Sequence, residues 1–185
     1  RYRHKRRHRR EIERHEQIKA LLENEIETTR KEAQSREEEV RALELKLQKI
    51  ISNPEFQSQP FDKKLETLLE MPICKRACMA KDANVKAGSA YPELVFSEKQ
   101  MDQLVRAVDS VFPKFSIRLM EKYPRLKRPD VVYCCMYVLG ITEVQAAALT
   151  GKTYQAVWTR SIKLHEVFNT KTNLQAFLRV FLKDM

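Results

Sequence analysis

Apolar residues fall into two patterns along the chain. Between Glu11 and Ile51 no proline or glycine interrupts the sequence, and apolar residues recur at heptad spacing. With position a at Ile12, Lys19, Ile26, Ala33, Val40 and Leu47, position d falls on His15, Leu22, Thr29, Arg36, Leu43 and Ile50. Ile12, Leu22, Ile26, Ala33, Val40, Leu43, Leu47 and Ile50 then form one apolar seam, flanked by Glu, Lys and Arg, which is the pattern of a coiled coil. A single helix of this length has no core in which to hide a seam, so a partner strand is expected. The polar residues Lys19, Thr29 and Arg36 penalise wrong registers and favour a parallel homodimer. The alternative is a long helix packed on its own domain.

Beyond Ile51 the pattern shortens. Ser52–Pro60 carries two prolines among small polar residues and reads as a linker. A helix is expected from Phe61 to about Lys81, with Leu65, Leu68, Leu69, Ile73 and Ala77 on its apolar face. Residues 83–96 read as a loop, so residues 61–96 form a helix-and-loop connector. Ser97 with Gln100 makes a capping box that starts a helix bearing Met101, Leu104, Val105, Val108 and Phe112. Pro113 suits the first turn of the next helix, which presents Phe115, Leu119 and Tyr123.

The last third holds the most regular punctuation. Pro129 opens a helix with Val131, Val132, Cys135, Val138 and Leu139, and Gly140 stops it. Thr142 caps a short alanine-rich helix, EVQAAALT. Thr150, Gly151 and Lys152 make a tight turn, and Thr153 caps a longer helix to about Phe168, with Val157, Leu164 and Ile162 (or Ser161) turned inward. Asn169–Lys171 ends it, and Thr172 caps a last amphipathic helix carrying Leu174, Phe177, Leu178 and Phe181. Two helices joined by a short glycine turn, the first small and alanine-rich, form a helix-turn-helix over residues 142–168. Its second helix would lie in a major groove of DNA. The fold expected is therefore all-α: a long coiled-coil helix over 11–51, then a small helical domain, 97–185, that ends in a helix-turn-helix.

Composition narrows the chemistry. Three glycines in 185 residues leave no room for glycine-rich phosphate loops or a turn-rich β fold. The net charge of +10 sits at the two ends: residues 1–10 hold seven basic and no acidic residues, and residues 125–185 hold 9 basic against 4 acidic. Both ends suit an anionic surface. Cys74, Cys78, Cys134 and Cys135 form no C-x-x-C pair and have no histidine at zinc-finger spacing, so small buried thiols in a reducing cytoplasm are expected, with no metal and no cofactor. Of the four histidines, His4, His8 and His15 lie in or near the basic start and His165 stands apart, which suggests no catalytic triad and no enzyme.

At this point the residues match a known pattern. YPRLKRPDVVYCCMYVLGITEVQAAALTGKTYQAVWTRSIKLHEVF, within residues 95–185, resembles the helix-turn-helix of LuxR-type regulators. It looks most like the version that closes membrane-tethered tetratricopeptide-repeat regulators. The shared features are YP-x-L at Tyr123–Leu126, Gly140, T-E-V-x-x-A at Thr142–Ala147, Leu149, Thr153 and Ala156–Val157. FLRVF at Phe177–Phe181 is similar to the family's last helix. The resemblance implies a cytoplasmic, DNA-binding output part of a membrane-anchored sensor in signal transduction, acting in transcription regulation. The chain begins at Arg1 rather than at a methionine, and is read as a fragment or processed product. In that layout Arg1, Arg3, Lys5, Arg6, Arg7, Arg9 and Arg10 follow a membrane helix on its cytoplasmic side and meet anionic headgroups. A nucleic-acid-binding arm or a solvated start are the other readings of the same charges.

The resemblance implies a reading face of Lys152, Thr153, Tyr154, Gln155, Trp158, Thr159, Arg160 and Lys163, with Arg160 and Lys163 both toward the duplex. The family's second helix usually carries more closely spaced cations and small polar residues where this chain has Tyr154 and Trp158. Few cations mean weak binding by one copy, so dimerisation would be needed. The alternative is a degenerate helix-turn-helix that docks a transcription partner such as RNA polymerase or a sigma factor.

Overall fold

The computed structural model describes the backbone of Tyr2–Ile51 and of residues 59–184. Within the first stretch it describes the side chains of residues 15–46, 48 and 49. The described residues form nine helices and no strand, so the chain is all-α. They divide into two units, Arg1–Lys46 and Leu47–Met185.

The first unit is most of one helix, α1 (Tyr2–Ile51). It runs back through the basic start, because nothing from Tyr2 onward breaks it. Lys31–Glu27 (3.6 Å) and Lys19–Glu23 (3.9 Å) pair one turn apart on its surface. The seam residues Leu22, Ile26, Ala33, Val40 and Leu43 are all exposed. Ile18 and Leu21 are exposed beside them, at positions the heptad assignment left on the flank. The side chains of Ile12, Leu47 and Ile50, of Arg1, Arg3, Lys5, Arg6, Arg7, Arg9 and Arg10, and the linker over 52–58 lie outside the described residues.

The second unit holds α2 (Phe61–Glu70), α3 (Pro72–Asp82), α4 (Glu98–Val111), α5 (Phe115–Lys122), α6 (Arg128–Val138), α7 (Glu143–Thr150), α8 (Tyr154–Phe168) and α9 (Leu174–Lys183). The single helix expected over 61–81 is two. Met71 is extended (φ −64°, ψ 139°) because the ring of Pro72 crowds a helical residue before it, and Pro72 instead opens α3. Leu68 of α2 and Cys74, Ala77 and Ala80 of α3 join the same core as the later helices. Pro113 lies in a turn ahead of α5 rather than within its first turn. Lys114 takes the left-handed conformation there, and the Asp109 carboxylate accepts from the Ser116 N–H (2.7 Å) and hydroxyl (2.5 Å) to fix the corner.

At the centre lies α6. Every residue from Val131 to Leu139 is buried, so the helix is apolar all round, with α4 and α9 packed against it. Gly140 ends it at φ +79°, where the Lys81 ammonium donates to the Leu139 carbonyl (2.5 Å). The last helix is capped by Asn173, not Thr172: its Oδ1 accepts from the Gln175 and Ala176 N–H groups, the short side chain reaching two and three residues ahead. Tyr123, Phe168, Phe177 and Phe181 meet around it, with the Phe168 and Phe177 rings stacked 4.9 Å apart. Three of the four cysteines, Cys74, Cys134 and Cys135, are buried and all four are free. No helix among the described residues is long and apolar enough to cross a membrane.

Candidate nucleic-acid interface

Local signals build the α7–α8 pair. The Thr142 hydroxyl accepts from Gln145 N–H (3.5 Å) while the Gln145 side chain accepts from Thr142 N–H (2.9 Å), a complete capping box. Ala146, Ala147 and Ala148 are buried and bring α7 close to its neighbours. Gly151 is left-handed (φ +62°), and the Lys152 N–H returns to the Ala147 carbonyl (3.1 Å), closing α7. The Phe96 N–H bonds the Leu149 carbonyl (2.8 Å), which seats the loop over 83–96 against the turn. A Cβ on residue 151 would meet Val95 at 3.3 Å. Thr153 then caps α8, its hydroxyl accepting from Ala156 N–H (3.2 Å).

Val157, Ser161, Leu164 and Phe168 face inward from α8. Of the two candidates at the middle position, the serine turns in. Its hydroxyl bonds the Glu143 carboxylate of α7 (3.1 Å), while Ile162 is 44% exposed. A buried hydroxyl is tolerated where it finds such a partner.

The candidate reading residues separate into three groups. Lys152, Gln155, Thr159 and Lys163 are exposed, and the last three are four residues apart, which sets them along one side of a helix. The Thr159 hydroxyl donates to the Gln155 carbonyl (2.9 Å), and that of Thr153 is held in the cap. Tyr154, half-buried, stacks on Trp158 (6.1 Å between centroids, 28° between planes), and Trp158 is 43% exposed. Arg160 is different. Its guanidinium donates to the Asp130 carboxylate and lies over the Tyr133 ring (4.9 Å), both on α6. Asp130 also accepts from the Lys127 N–H (2.9 Å). The expectation that Arg160 reaches outward beside Lys163 does not describe this geometry: the arginine is engaged with α6.

Sequence reasoning passed over Arg125 and Lys127. Both are exposed in the segment before α6, and the fold brings them to the flank of α8 beside Lys163. Their signal in the sequence is the cluster RLKR at 125–128, but only the fold, through the Arg160–Asp130 pair, joins it to the reading helix.

Compared with protein families, curated proteins and solved structures, the chain has no match.

The turn and α8 offer hydrogen-bond donors and acceptors, a stacked aromatic pair with Trp158 partly open, and the exposed cations Lys152 and Lys163. Burial pushes the Cys74, Cys134 and Cys135 thiols well above their ordinary range, so they are poor nucleophiles.

Proposed function

We propose that this chain is a DNA-binding transcriptional regulator that acts without catalysis, as a parallel homodimer joined through α1. In this reading α8 enters a major groove, Gln155 and Thr159 meet base edges, and Lys152 and Lys163 meet phosphate. An amide such as that of Gln155 can pair with adenine through two hydrogen bonds. The observation that carries the reading is the open row Gln155, Thr159 and Lys163 on a helix that follows a left-handed glycine turn. The LuxR-like motif over Tyr123–Phe168 supports it, and so does the basic excess of residues 125–185. With Arg160 engaged, each copy binds weakly. Two copies on one coiled coil gain effective concentration, which is the service the seam provides. The basic residues at 1–10 hold the dimer at the cytoplasmic face of an anionic membrane, as the output part of a membrane-tethered sensor.

One observation favours a second reading. Trp158 and Ile162 put large apolar surface on the open side of α8, and aromatic residues of that kind anchor protein partners. In this reading α8 docks a transcription partner such as RNA polymerase or a sigma factor.

The test is recovery of genomic fragments on the full chain at moderate salt, followed by sequencing. The DNA-binding reading expects a recurrent site made of two half-sites. Recovery with no sequence preference, together with capture of a polymerase subunit that depends on Trp158, would favour docking.

A further inference from the structure

A groove of about 400 Å³ lies along α8 and takes in Thr159 and Lys163 of the open row. Arg125, Lys127 and Lys163 line it. The Asp130–Arg160 ion pair and Glu166 line it as well. Among the described residues no ion pair engages Arg125, Lys127 or Lys163, while the Asp130 carboxylate is paired with Arg160. Four cations, Arg125, Lys127, Arg160 and Lys163, stand against two carboxylates, Asp130 and Glu166, so the groove is net positive. Asp130 holds the Lys127 backbone with one oxygen and Arg160 with the other, so it ties the segment that carries Lys127 to α8.

We propose that this groove is a phosphate clamp: Arg125 and Lys127, together with Lys163, grip the sugar–phosphate backbone of the strand that borders the major groove entered by α8. The inference rests on the DNA-binding reading and deepens it. It adds the affinity of Arg125 and Lys127, outside the helix-turn-helix, to that of Lys163 on α8, and it makes Arg160 a positioning residue rather than a DNA contact. Backbone contacts of this kind fix orientation without reading sequence. Each one releases about one counterion, which appears as about one unit in the slope of log affinity against log salt.

The experiment compares the full wild-type chain, Arg125→Ala with Lys127→Ala, and the charge-retaining swap Arg125→Lys with Lys127→Arg. Each is titrated with a duplex carrying the site recovered from genomic fragments, and with a scrambled duplex, over a range of salt. The alanine pair is expected to lower the slope by about two units on both duplexes. The swap is expected to keep the wild-type slope. Both positions are exposed, so all three chains should unfold at the same temperature. If the wild type binds and the alanine pair keeps its slope, the clamp is wrong and the DNA-binding reading stands. A swap that loses as much slope as the alanine pair also overturns it, because charge is then not the cause. If the wild type binds neither duplex at low salt, both readings fall.

Discussion

Replacing Ile26 and Leu43 together with Glu should convert the proposed dimer into monomers. In the single chain these side chains are 66% and 52% exposed, so between half and two-thirds of each still has water to lose. Full burial of an Ile or Leu side chain is worth ~1.5–3 kcal/mol, so closing the seam at each of these positions is worth about 0.8–2 kcal/mol. A parallel dimer closes four such side chains, a total of about 3.5–7 kcal/mol, or roughly three to five orders of magnitude in Kd. Glutamates facing one another across the seam add desolvation and repulsion on top of that loss. Sedimentation equilibrium at tens of micromolar should give twice the 21.9 kDa chain mass for the wild type and the chain mass for the variant. The circular-dichroism signal of α1 should fall as well, since a lone helix is marginal in water. A wild type that is monomeric at that concentration, or a variant that stays dimeric, would refute the seam.

Further outcomes follow from the helical domain and the basic start. Gly151→Ala puts a Cβ on a left-handed residue against Val95 and should cost about 1–2 kcal/mol in urea unfolding; an unchanged midpoint would show that the turn relaxes freely. Cys74, Cys134 and Cys135 keep their protons in the folded chain, and the unfolded chain releases them above the ordinary thiol value of 9.0. Their contribution is thus complete below that pH and is lost as pH rises past it. Urea midpoints should drop in that window, and drop less when Cys134 and Cys135 are both alanine; equal drops would contradict the burial argument. Residues 1–10 should bind anionic vesicles in a salt-sensitive way, and Arg6, Arg7, Arg9 and Arg10 changed to Gln should abolish it. Equal binding to neutral vesicles would refute the membrane role.

Much of the domain was legible because its signals are local. Ser97, Thr142 and Thr153 cap helices within three residues of themselves, and Gly140 and Gly151 terminate them by backbone conformation alone. Pro72 was a local signal too, outweighed by the apolar period running across it. The choice between Ser161 and Ile162 was not local: it depends on Glu143, 18 residues away, which gives the buried hydroxyl its partner. The role of Arg160 was hidden for the same reason. A cation on a reading helix looks like a phosphate contact until the fold places Asp130, 30 residues earlier, beneath it. Arg125 and Lys127 were visible as charges but not as neighbours of α8, because periodicity says which face a residue occupies and not which other helix comes alongside.

The most direct test of DNA reading by α8 is a titration of the full chain with duplex DNA carrying its recovered site, comparing wild type with Gln155→Ala and Lys163→Ala. Gln155→Ala should lose ~1–3 kcal/mol at one base position and little elsewhere, while Lys163→Ala should lower the salt slope by about one unit on every sequence. Absence of binding above background at low salt, with the coiled coil intact, would contradict the account and leave the open face of α8 to a protein partner.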